Sequence, residues 1–255
     1  MVHETRADAS ELPPGPRAAQ RARRAETTDR IVEAAERIAT DEGLEALTMH
    51  RLAGELGYRV GALYRYYPSK EALLVAMLAR VLGELGRVVS DARETTDGIV
   101  SRARKPIDPG EAAILFVVVA SRAYLEAARA RPVHAAILTR MLADPRPVIS
   151  DDASAPSLMP AAHALLAAMV SALHDARAHG ALSRGDDLER AVLLWSSLQG
   201  LSPLRKMERF GIGSLTTEKL GHSLVRALLA GWGADPEVIE GSMERATAAE
   251  KGGSR

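Results

Sequence analysis

The sequence predicts an all-α protein of about nine helices, and three observations carry that expectation. Hydrophobic residues make up 47% of the 255 positions but aromatics only 4%. Ala and Leu supply most of that apolar content, and both lose little side-chain freedom in a helix, whereas β-branched and aromatic residues lose more. Apolar residues also recur with a 3.6-residue period, as at Leu74, Met77, Leu78, Val81 and Leu85. Finally, caps, glycines and prolines punctuate these runs at helix-sized intervals, and no convincing strand intervenes.

Residues 1–22 contain Pro13, Pro14 and Pro16 without periodicity and read as a flexible arm. A first helix is expected from about Thr27 to Thr40, with Ile31, Ala35 and Ile38 on one face and Gly43 as its stop. Two short helices follow between Thr48 and Tyr67, and Ser69 caps a long helix. Gly98, Pro106 and Pro109 mark a break, after which Asp108 can cap the next helix. That helix includes ILFVVVA at 114–120, which composition alone would allow as a buried strand. It runs on into SRAYLEAARA without a turn signal, so a central helix, apolar all round, is the better reading.

Pro132 suits the first turn of a short helix ending near Leu142. Asp144–Pro156 reads as a polar, mobile loop. Helices are then expected at about Ser157–His179 and Asp186–Arg209, separated by Gly180 and Gly185, with Pro203 kinking or breaking the second. Thr216 or Thr217 opens a last helix through Trp232, and the chain thins into a tail after Asp235. The resulting division is an arm (1–22), a helix-turn-helix head (23–70), a larger helical domain (71–235) and a tail (236–255).

The absence of cysteine excludes disulfides, thiolate metal sites and cysteine nucleophiles. No uninterrupted apolar run reaches the roughly 18 residues that span a bilayer. Glu4, Asp8 and Glu11 stand where a signal peptide would be apolar, so a cytoplasmic protein is expected. With no glycine-rich phosphate loop and no clustered His–Asp/Glu spacing, an enzyme is not expected, nor is a cofactor. Net charge is zero, 33 basic against 33 acidic residues, which by itself argues against nucleic acid. The distribution argues otherwise. Between Met49 and Lys70 stand Arg51, Arg59, Arg65 and Lys70 against Glu55 alone, and upstream lie Arg17, Arg21, Arg23 and Arg24 without an acid among them.

The segment Leu47–Leu74, LTMHRLAGELGYRVGALYRYYPSKEALL, has the grammar of a helix-turn-helix. Thr48 is an N-cap, and Leu47 and Leu52 occupy the two ends of a hydrophobic staple. Ala53 is small where a second helix crosses, Gly57 supplies the positive φ of a sharp turn, and Pro68 ends the second helix. Val60, Leu63 and Tyr66 or Tyr67 pin that helix, leaving Gly61, Ala62, Tyr64 and Arg65 outward. Small residues let it sink into a major groove, where Ala62 can meet a thymine methyl and Arg65 a guanine edge or phosphate. Tyr64, Tyr66 and Lys70 suit flanking phosphates, and Thr48, His50 and Arg51 suit backbone on the other side.

Over Thr27 to about Leu78, this pattern resembles the N-terminal domain of TetR-family transcriptional regulators. The resemblance rests on T-x-x-x-L-A-x-x-L-G followed by G-A-L-Y-R-Y-Y-P-S-K-E-A-L-L. Beyond it, W-x-x-L-x-G-L at Trp195–Leu201 is a looser echo. The resemblance implies a homodimer on a palindromic double-stranded operator, usually repressing. It also implies a small-molecule effector in the C-terminal domain, which moves the fourth helix and respaces the heads. The dimer interface then falls on about 187–209 and 216–232, where Leu193, Leu194, Leu198, Leu201, Leu224, Leu228 and Leu229 suit a four-helix bundle. Arg59 stands where relatives usually carry Ser or Thr, so it cannot cap the recognition helix but can contact phosphate or base, and operator preference is in question.

Blander readings compete. The alternative to a DNA reader is a helical interaction protein that keeps the fold without specific DNA binding. Tyr67 reads as core packing, and the Arg17–Arg24 cluster reads either as a solvated arm or as a contact to minor groove or phosphates. His163, His174 and His179 read as satisfied or solvated, since residues three turns apart cannot share one metal. Arg122 and Tyr124 can anchor a ligand or simply lie at a helix surface. Met141, Met159 and Met169 suit an adaptable cavity or plain core. The helices at 111–130 and 157–179 are the expected walls of a site for a hydrophobic effector.

Overall fold

The computed structural model describes residues 15–143, 155–204 and 216–253. The expected loop at Asp144–Pro156 and the stretch after Leu204 therefore fall largely outside the described residues. Ten helices and no strand are present among those described. The chain divides into two compact units, one up to Pro68 and one from Ser69 onward.

The first unit comprises α1 (Pro16–Asp41), a 3₁₀ turn (Leu44–Ala46), α2 (Met49–Leu56) and α3 (Val60–Leu63). Ile31, Ala34, Ala35 and Ile38 of α1 are buried, as are Leu47, Met49, Leu52, Ala53 and Leu63. α1 packs on the 3₁₀ turn and on α2, and α2 packs on α3. The expected arm at 1–22 needs correction: Pro16 opens α1, so residues 16–22 are helical. Proline is favoured at a first helical position because its missing N–H would be unpaired there anyway.

The second unit holds α4 (Lys70–Arg102), α5 (Pro109–Ala130), α6 (Pro132–Ala143), α7 (Ala155–Ala178), α8 (Asp187–Leu201), α9 (Thr217–Gly231) and α10 (Pro236–Gly253). Its hub is α5, which packs on α4, α6, α7, α9 and α10. The run 114–118 is fully buried, as its all-round apolarity predicts. Arg93 of α4 lies over the Phe116 ring, 3.7 Å from its centroid. Expected caps are in place: Ser69 accepts from the Ala72 amide, Asp108 from Gly110, and Thr216 from Lys219. α7 is long and apolar enough to cross a membrane. Yet Pro160, His163, His174 and Asp175 interrupt it, and Ala172, Leu173 and Ala176 sit in the protein core.

Two further expectations change. Residues 236–253 are no tail: they form α10, which packs on α5 and α9 and sends Ile239, Met243 and Ala246 into the core. α8 is shorter than expected, tightening into a 3₁₀ turn at 202–204, where Pro203 has no amide hydrogen to continue the helix. The leucines assigned to a dimer face also divide. Leu194, Leu198 and Leu229 are buried within this core, Leu201, Leu224 and Leu228 pack against it, and Leu193 is exposed. Exposed beside Leu193 on α8 are Leu188 and Val192.

Candidate nucleic-acid interface

The helix-turn-helix is built by local chemistry. The Thr48 hydroxyl accepts the Arg51 amide at 3.0 Å and closes the start of α2. Gly57 ends α2 at φ 67°, ψ 27°. There the Tyr58 amide reaches back to the Ala53 carbonyl at 2.9 Å and Gly57 to Gly54 at 3.3 Å. Those two bonds make a Schellman stop, which needs a left-handed residue and so favours glycine. The turn delivers α3 with Leu63 inward and fully buried. α3 is only four residues long, and Tyr66 and Tyr67 donate to the Leu63 carbonyl in a further turn rather than extending the helix.

Gly61, Tyr64 and Arg65 follow the i, i+3, i+4 rule for one helical face, and all three are exposed. Tyr64 is 48% exposed, unusual for an aromatic side chain with no contact to bury it. Arg59 is exposed and makes no side-chain cap, as its side chain dictates. His50 is exposed too, while Val60 and Ala62 are half-buried. Thr48 is exposed, and its hydroxyl proton remains available to an acceptor while its oxygen serves as the cap.

Three further candidate residues are half-buried. Arg51 is committed to carboxylates: its Nε donates to Glu42 and its Nη1 to Glu55, each at 3.0 Å. Those bonds hold the Glu42 carboxyl below its usual range and tie the start of α2 to the end of α1. Tyr66 is half-buried, with the Arg24 guanidinium 5.8 Å from its ring centroid. Lys70 is the first residue of α4 and belongs to the second unit. Burial and the nearby Asp29 charge raise the Tyr67 phenol, in keeping with a packing role. Glu55, four residues after Arg51, was a readable sign of its pairing; Glu42, on another element, was not.

Within the second unit a cavity of about 250 Å³ opens between α4, α5 and α6. Val81, Leu85, Val88, Ala127 and Leu138 give it apolar walls, while Glu84, Arg87, Asp91, Arg131 and His134 form its polar part. Glu84 takes both His134 Nδ1, at 3.0 Å, and Arg131, so one carboxylate links α4 to the start of α6. Tyr124, also lining the cavity, donates to Gln199, whose amide donates to Thr139 at 3.1 Å. Burial pushes the Tyr124 phenol up to about 12, so it stays a donor near neutral pH. The expected wall from α5 is therefore present, but α7 contributes none of the lining residues. Arg122 points elsewhere, to Glu250 and Thr247 of α10. Met159 is exposed, Met169 packs against the core, and the side chain of Met141 lies outside the described residues. His174 sits with Arg177 and Asp187, and no cluster suited to a metal occurs among the described residues.

A glycine-stopped turn that presents a small, polar helix face defines a helix-turn-helix protein with a separate helical domain. The family described as "Bacterial regulatory proteins, tetR family" matches residues 31–77. The description "Tetracyclin repressor-like, C-terminal domain" matches residues 117–228. Together the two matches cover more than half of the chain, which belongs to the TetR family of bacterial regulators. An HTH-type transcriptional repressor, DrrR1 of Streptomyces coeruleorubidus, is 58% identical over 55 residues, 22% of this chain and 20% of that protein. The chain thus spans about a fifth of that curated relative's length. The TetR family regulator PfmR of Thermus thermophilus has a similar structure, with TM-score 0.54 and 18% identity over 79% of this chain and 97% of that one. The regulator FadR of Bacillus subtilis, solved with stearoyl-CoA, gives a TM-score of 0.57 and 14% identity, covering 79% of this chain and 97% of that one. At such identities the two structures bear on the fold alone.

Proposed function

We propose that the protein is a ligand-responsive transcriptional repressor that binds a palindromic DNA operator as a homodimer. The observation that carries this reading is the exposed set Gly61, Tyr64 and Arg65, on α3 and the turn after it, held in place by the Gly57 stop. A glycine at the start of α3 lets the backbone approach a groove, and the tyrosine and arginine reach phosphates and base edges. Thr48, His50, Arg59, Val60, Ala62 and Tyr66 complete the surface; Lys70, two residues after Pro68 in the sequence, is a separate phosphate contact. Arg51 is left out, because its guanidinium is already shared by two carboxylates. The DrrR1 relative is named a repressor, which supports the same direction of control.

The effector enters the cavity between α4, α5 and α6. Its mixed walls suit a small amphipathic molecule better than the hydrophobic one expected from the helices at 111–130 and 157–179. The FadR neighbour's stearoyl-CoA, an acyl chain on a charged head, is a precedent for an amphipathic ligand in this fold, though about 250 Å³ is small for a long acyl chain. Six of the lining residues come from α4, so an occupant acts on the helix that follows the head in sequence.

Fluorescence anisotropy with DNA from upstream of the encoding gene tests the reading. Specific binding is expected at moderate salt, weakening steeply as salt rises. Tyr64→Ala and Lys70→Ala each abolish it at wild-type operator concentrations. Indifference of binding to both substitutions overturns the interface, and absence of any specific binding favours a helical interaction protein instead.

A further inference from the structure

We propose that the first ten residues of α1 form a basic helical extension that binds the phosphate backbone of DNA flanking the operator. The proposal rests on the DNA-binding reading above and adds a second contact surface to it. Residues 16–25, PRAAQRARRA, hold four arginines and no acid, and Arg17, Arg21, Arg23 and Arg24 are all exposed. From Arg17 onward the first buried residue of α1 is Ile31, so this stretch runs ahead of the buried part of its own helix.

The arginines are not scattered round the helix. Arg17, Arg21 and Arg24 stand at i, i+4 and i+7, and the same progression continues to Ile31, Ala35 and Ile38. At 3.6 residues per turn these six positions fall within a stripe about 100° wide. The stripe is therefore the forward continuation of the face by which α1 joins its own unit. Arg24 shows which neighbour that face meets, since its guanidinium lies over the ring of Tyr66, just past the recognition helix. Arg23 points away from the stripe, roughly 100° from Arg24.

Helicity decides what the stripe can bind. An extended arm could enter a minor groove about 6 Å wide, but a helix about 10 Å across cannot. Three guanidiniums spread over roughly 10 Å along one helix side instead match a run of backbone phosphates. Such contacts carry no sequence information; they lengthen the footprint and steepen the salt dependence.

The test uses the full-length protein and the upstream DNA. Hydroxyl-radical footprinting locates the protected segment, and two duplexes are made, one ending at the operator and one with about ten added base pairs on each side. Wild type is expected to show a steeper slope of log affinity against log salt on the longer duplex, a result that needs no substitution. Each phosphate contact contributes about 0.9 to that slope. The triple variant Arg17→Gln, Arg21→Gln, Arg24→Gln should then lose up to about 5 on the long duplex as a dimer, and its footprint should shorten at both ends. Arg23→Gln, an equal change per charge off the stripe, should leave both readouts unchanged. Equal wild-type slopes on the two duplexes overturn the extension, as does a triple variant that keeps the wild-type slope and footprint. A loss per arginine in Arg23→Gln equal to that in the triple variant also overturns it, because net charge would then explain the effect. Failure of the parent reading looks different: the wild type binds neither duplex specifically.

Discussion

Arg51 shows how one side chain can carry the right charge in the right segment and still have another task. In sequence it is one of four cations against a single acid between Met49 and Lys70. In the fold its guanidinium lies between Glu42 and Glu55, and both bonds raise its pKa further, so it remains charged but locally neutralised. A cation already shared by two carboxylates releases few counterions from DNA. Arg51→Gln is therefore expected to leave the salt slope of operator binding unchanged while slightly lowering thermal stability. A slope lowered by about 0.9 would restore it to the phosphate contacts. Residues whose roles depend only on near neighbours in sequence were legible: the Thr48 cap, the Gly57 stop and the inability of Arg59 to cap all appear as expected. Arg51 and Tyr66 were not fully legible, because Glu42 and Arg24 reach them from α1.

At the scale of elements, legibility followed the strength of the periodic signal. α4, α5 and α9 carry long apolar stripes with caps, and their starts match the expectation. α10 is hard to see in the sequence because its composition is charged and alanine-rich, with a weak apolar stripe. Its signals were nonetheless present: Asp235 accepts the Glu237 amide at 2.7 Å, Pro236 occupies the first position, and Ile239, Met243 and Ala246 follow at i, i+4, i+7. Contact with α5, α9 and α4 gives that thin stripe a place to be buried. If α10 belongs to the core, truncating its most buried large residue must cost what a core truncation costs. Ile239, 1% exposed, provides the measurement: Ile239→Ala should lose about 2–5 kcal/mol in denaturant unfolding. A change below about 0.5 kcal/mol, as for a surface site, would return these residues to a tail.

For the whole molecule, the homodimer proposed above raises the question of what joins two heads. One four-residue recognition helix offers few base contacts, so useful affinity depends on two heads engaging one operator together. Half-sites one helical turn apart lie about 34 Å from each other, so the joint must be stiff as well as strong. The expected leucine bundle cannot supply it as first drawn, because Leu194, Leu198 and Leu229 already fill the core of their own protomer. What α8 offers outward is Leu188, Val192 and Leu193, at 52%, 42% and 44% exposure, with Ser196 and Gly200 following Leu188 and Val192 on one face. Large apolar residues that a folded chain leaves in water mark a surface that another surface covers, and small residues beside them allow helices to approach closely. Val192→Asp places a charge on that face without touching the protomer core. It should therefore keep wild-type helicity while sedimenting as a monomer, and its affinity for the full operator should fall roughly 10²- to 10⁴-fold. Its affinity for a single half-site should not change, since each head is intact. A Val192→Asp protein that remains dimeric and binds the operator at full strength would move the joint off α8.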